Sequence, residues 1–139
     1  MAAPRWIVDT SAMPVVVLRL PAGAKETSDL SALFSDFGAV LERRERFVLI
    51  IDLSQTNPDA ARRKRIIEWI QAHIDAVRRY VVANALVAPT AFHRGIIVAA
   101  TWFVKSDIPV EVFGDFGSAI QWANERVRLY GLSPRPHGA

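Results

Sequence analysis

The side chains in this chain best suited to chemistry gather just after three apolar runs. Asp52, Ser54, Thr56, Asn57 and Asp59 follow the first run, Thr90, His93 and Arg94 the second, and Gly114 and Asp115 the third. Asp52 and His93 could work as an acid–base pair, with Ser54 beside them as nucleophile. A plainer chemistry competes with this: Asp52 caps a turn or pairs with Arg94, and Ser54 satisfies loop backbone groups. The parts that would complete an enzyme are missing from the sequence. There is no Gly-x-Ser-x-Gly elbow, no glycine-rich phosphate loop and no dinucleotide fingerprint. Binding is therefore expected ahead of catalysis, and no residue is assigned a catalytic role.

The three histidines, His73, His93 and His137, lack the spacing of metal ligands, and no local carboxylate cluster joins them. Neither a metal nor any other cofactor is expected. The chain contains no cysteine, which excludes a thiol nucleophile, a cysteine zinc site and a disulfide framework. Arg94-Gly95 is more suggestive. A glycine in a helix costs about 1 kcal/mol relative to alanine, and it is tolerated where another backbone or a ligand must come close. Arg94 can hold a phosphate, another anion or a partner's carboxylate. Its internal alternative is a salt bridge to Asp52 or Asp115.

These residues need elements to position them. Trp6–Asp9 reads as a short strand, a turn runs through Thr10 to Pro14, and Val15–Leu20 forms a second strand that makes a hairpin with the first. Leu30, Leu33, Phe34, Phe37, Val40 and Leu41 recur at helical spacing behind an N-cap at Thr27 or Ser28. Phe47–Leu53 is continuously apolar and rich in β-branched residues, as expected of a strand buried on both faces of a mainly parallel sheet. Asn57 as N-cap and Pro58 as first residue open a helix that runs to about Tyr80, with Ile66, Ile70, Ile74 and Val77 on one stripe. A strand over Val81–Val87, a helix over Phe92–Lys105, a strand over Ile108–Phe113 and a helix over Phe116–Leu129 complete the pattern. Gly131 stops the last helix.

The expectation is thus an α/β fold with a mixed sheet in the order β-β-α-β-α-β-α-β-α. It comprises one domain over residues 1–132 and a C-terminal tail over 133–139. In such a sheet the three groups of candidate residues lie along one rim, beyond the carboxyl ends of the strands.

Composition narrows the function further. At 139 residues with 51% apolar content, the chain can bury a core without a staple. Its start lacks the layout of a secretory signal, and its longest apolar run, Ile96–Ala100, is far short of a membrane span. A cytoplasmic location is expected. The net charge of +3 is concentrated at Arg62-Arg63-Lys64-Arg65 and around Arg43, Arg44, Arg46, Arg78 and Arg79. This is read as the solvated side of helices, which ranks nucleic acid last among partners. Of the four tryptophans, Trp102 and Trp122 are expected in the core and Trp69 partly exposed.

The helix after the hairpin, the strand ending Ile51-Asp52-Leu53-Ser54, and the closing Val112-Phe113 through Ala119-Ile120-Gln121-Trp122-Ala123 together resemble STAS-like domains, the anti-sigma-factor-antagonist fold. The similarity spans nearly the whole chain in element order and is closest to small bacterial members carrying an Arg-Gly before an apolar helix, here Arg94-Gly95 through Trp102. The resemblance implies a non-enzymatic regulatory or scaffolding domain that binds a protein partner. It also implies a phosphorylation switch at the start of the helix after the Asp-Leu-Ser strand. This chain departs there: Asn57-Pro58-Asp59-Ala60-Ala61 has no hydroxyl where the family's Asp-Ser-Gly segment would fall. The expected partner surface comprises Asp52, Ser54, Thr56, Asn57, Asp59, His93 and Arg94. Related lipid-transfer folds keep a small apolar ligand beneath the Arg94 helix as the alternative, a metal-independent hydrolase using Ser54 and His93 comes third, and a homo-oligomer stays open.

Overall fold

A computed structural model describes residues 6–19, 30–54, 60–88, 90 and 107–132. The helix expected over 92–105, the caps at Thr27, Ser28 and Asn57, and the tail over 133–139 lie outside these residues. The described chain is an α/β fold built on a five-stranded mixed sheet in the order β1-β2-β3-β4-β5. Strand β1 (Ile7–Ala12) pairs antiparallel with β2 (Val15–Arg19), as the hairpin reading predicts. Strands β3 (Phe47–Asp52), β4 (Val81–Val87) and β5 (Val110–Phe113) then add in chain order, each parallel to the one before.

The first and last strands depart most from the expectation. The first strand does not end at Asp9 but continues to Ala12, with the turn confined to Met13 and Pro14. The polar residues that look like a turn in sequence are held in the strand because Asp9 bonds Ser11 and the register shifts between Asp9 and Ala12. The last strand starts at Val110 rather than Ile108. Proline has no N–H to give a ladder, and Pro109 contributes only its carbonyl, to Asn84 N at 2.9 Å.

Alternation along the strands builds two cores. Val16 and Leu18 of β2, Phe47 and Leu49 of β3 and Leu86 of β4 face one side. There they meet helix α1 (Ser31–Glu42), helix α2 (Ala60–Ala72) and helix α3 (Ile74–Tyr80). Val15, Val17, Val48, Ile50, Ala83, Ala85 and Val87 face the other side, under helix α4 (Phe116–Leu129). Connections between parallel strands that add in one direction share a hand, so α1, α2 and α3 lie together, while α4 returns across the opposite face. Val16, Phe47, Val48 and Ile50 are wholly inaccessible, so β2 and β3 are the doubly covered strands that the apolar run predicts.

One expected helix is two. The stretch to Tyr80 breaks at His73, whose backbone (φ −115°, ψ 22°) leaves the helical range before α3 begins. The His73 ring competes for local backbone. Its Nδ1 lies 2.8 Å from the Trp69 carbonyl, which can only accept, so the proton sits on Nδ1.

The end of α4 follows the sequence reading. Gly131 takes φ +66°, Gly131 N bonds Arg128 O, and Leu132 N bonds Val127 O, the paired closure that a left-handed glycine permits.

Candidate functional site

Because β2 to β5 are parallel, their carboxyl ends share one rim, and it carries polar side chains from successive strands. Arg19 ends β2, Asp52 ends β3, Thr90 lies beyond β4, and Asp115 follows β5. Arg19 and Asp52 are register partners on neighbouring strands, so they project on the same side of the sheet.

Asp52 is half-buried, and its Oδ1 accepts the N–H of Ser54 at 2.9 Å. That bond closes a turn two residues long, so the carboxylate presents the loop, the plainer of the two roles its position suggested. Ser54 itself is exposed. Leu53 between them is buried and ties the turn to the sheet through its N–H to the Val87 carbonyl, at 3.0 Å. The rim thus offers a serine on a fixed turn.

Arg19 sits at the other end of this surface. Its guanidinium lies 3.4 Å from Asp9 Oδ2 and 5.6 Å from the centre of the Phe116 ring. Both partners of the ion pair are substantially exposed, so it contributes well under about 1 kcal/mol. Asp9 is nonetheless held below the usual carboxylate range. The Ser11 hydroxyl at 2.6 Å is the main cause, the Ser11 N–H at 2.9 Å adds to it, and the charge of Arg19 helps. Asp115 is also lowered, first by the Ser118 N–H at 2.7 Å and then by the Ser118 hydroxyl at 2.9 Å. This pairing makes Asp115 the N-cap of α4.

The structure brings Asp52, Ser54, Thr90 and Asp115 to one edge, as the sequence reading requires. Thr56, Asn57, Asp59, His93 and Arg94 lie outside the described residues, and with them the Asp52–His93 pair, the Asp52–Arg94 alternative and the pocket beneath the Arg94 helix. Among the described residues no three acidic or histidine side chains come together as a metal site would require.

Sequence reasoning missed Arg19, Phe116 and Asn84. Arg19 joins the rim only through the strand register, which no local pattern encodes. Asn84 had a signal, as a lone amide within the apolar Val81–Val87. It pairs with Leu49 and so shares the side of α1 to α3, and its Oδ1 is buried without a hydrogen-bond partner among the described residues. Such an atom is costly to keep.

Trp122, expected in the core, is half-buried instead. Its ring lies 5.7 Å from Phe113, and the Arg126 guanidinium sits 5.4 Å above it. The small Ala119 and Ala123 take the fully buried positions on α4 and leave the indole at the flank.

No protein-family model, curated protein or solved structure matches this chain. No helix among the described residues is long and apolar enough to cross a membrane. Function is read from the rim.

Proposed function

We propose that this chain is a STAS-like, non-enzymatic regulatory or scaffolding domain of bacterial origin that binds a protein partner through the carboxyl rim of its sheet. The observation that carries the reading is the Asp52–Ser54 turn. An exposed serine is set on a carboxylate-fixed loop at the end of a doubly buried strand, where rigidity serves recognition. The sheet supports it as well, since an antiparallel edge strand followed by four parallel strands in chain order suits the resemblance. Asp52 works structurally in this reading: its Oδ1 serves the turn, and Ser54 is a contact residue. The proposed surface also takes in Thr56, Asn57 and Asp59, which follow Ser54 in the chain, and His93 and Arg94, which follow Thr90.

The test begins with capture from the native lysate and proceeds to titration of the purified partner against the wild type, Ser54→Glu, Asp59→Arg and Arg94→Ala. Loss of about tenfold in affinity, or about 1.4 kcal/mol, is expected for each variant with its melting temperature unchanged. Unaltered affinity in all three would remove the rim from the interface. Co-purification of a small apolar molecule, with no protein partner, would favour the pocket reading instead.

A further inference from the structure

Helix α2 is attached to the molecule differently from its neighbours. Helix α1 buries Leu33, Phe37, Val40 and Leu41, α3 buries Val77, and α4 buries Ala119 and Ala123, whereas α2 buries no side chain fully. The largest side chain that anchors α2 is Trp69, through one aromatic cluster. The Trp69 indole lies parallel to Phe34 at 5.4 Å and 4°, tilts against Phe37 at 5.8 Å, and carries the His73 ring at 4.0 Å. Ile66 and Ile70 add half-buried contacts on the same side.

The helix breaks directly after this contact. His73 both leaves the helical backbone range and touches Trp69 twice, through its ring stack and through Nδ1 to the Trp69 carbonyl. Latch and hinge are therefore in contact. The opposite end of α2 is loaded against helicity. Its first turn holds no acidic residue, and Arg62, Arg63, Lys64 and Arg65 crowd the positive end of the helix dipole. Lys64 also forms an exposed pair with Glu68 at 3.9 Å.

We propose that α2 is a strap that opens as a unit about His73, held shut by Trp69 on Phe34 and Phe37. Opening uncovers the aromatic side of α1. Because α2 follows Ser54 after a short connection, its position also bears on the rim. The physical basis is the uneven distribution of local stability: a helix with no buried side chain separates at lower free energy than elements that carry the core.

Hydrogen exchange read by mass spectrometry on the intact chain tests this directly. In the wild type, amides of α2 should exchange at least about tenfold faster than those of α1, α3 and strands β2 to β4. Trp69→Ala should accelerate α2 about a further tenfold and leave α3, α4 and the sheet unchanged, while Trp69→Phe should restore most of the protection. Protection of α2 equal to that of α1 and α3 in the wild type would overturn the strap. So would a Trp69→Ala variant that left α2 unaltered, or one that loosened the sheet along with it. The wild-type comparison stands even if Trp69→Ala fails to fold. No partner enters the measurement, so its outcome is independent of the rim's function.

Discussion

At the scale of single residues, the rim is governed by short polar bonds between a carboxylate and a nearby serine. Asp52 with Ser54 and Asp115 with Ser118 use the device at the rim, where each closes or caps a local turn of backbone, and Asp9 with Ser11 repeats it within β1. For Asp9 and Asp115 these bonds favour the ionised form, so the folded chain binds fewer protons than the unfolded chain on moderate acidification. The stability they contribute is fully present above the ordinary carboxylate value of about 3.9 and is lost as pH falls through the lower folded values. Denaturant midpoints should therefore fall between about pH 5 and pH 2, and Asp115→Asn should lower the midpoint at neutral pH and flatten its acid slope. Parallel slopes in the wild type and Asp115→Asn would show that this cap does not carry the acid response.

At the scale of elements, α4 and α2 are opposite solutions to attaching a helix. Helix α4 begins with the Asp115 cap, ends with Arg126 and Arg128 near its negative pole, and closes on Gly131, so each terminus suits the dipole. Its inner side is small, and Ala119 and Ala123 let it sit close on β3 and β4. Enlarging that side should be costly: Ala123→Leu is expected to destabilise the chain by about 1–3 kcal/mol through overpacking, measured by urea unfolding. A neutral result would mean that the helix can lift from the sheet without loss. Helix α2, with its basic first turn and no fully buried side chain, relies on Trp69 instead, and so is, among the described helices, the one proposed to move.

At the scale of the whole molecule, one sheet serves two cores, so the layers on either side are coupled through β2 and β3. Ile50 belongs to the α4 side and is wholly inaccessible, while its chain neighbour Leu49 belongs to the α1–α3 side. Ile50→Ala should lower stability by about 2–5 kcal/mol. If the two cores unfold together, tryptophan fluorescence and far-ultraviolet circular dichroism will give one coincident transition. Separate transitions would show that the α4 layer melts alone.

Much of this was legible in the chain, for physical reasons that can be named. The run Phe47–Leu53 read as a doubly covered strand, because seven residues of near-continuous apolar character leave no polar side for water. Val81–Val87 and Phe116–Leu129 were readable to the residue, since their periods and stop signals are local. Asp52 and Ser54 were readable as rim residues because parallel strands place their carboxyl ends together.

What the sequence alone did not determine depends on contacts between distant segments. At the break, the His73 ring rests on Trp69 and its carbonyl, within a stretch whose periodicity runs on unbroken. Arg19 reaches Asp9, Phe116 and the neighbourhood of Asp52 only because strand register aligns β2 with β3 and α4 folds back over them. The sequence by itself determined most of the described strands and helices, because helix and strand periods, caps and stops act over a few residues. Tertiary structure decided which polar groups meet at the rim and which helix is held most loosely, because both depend on register and on what lies across the sheet.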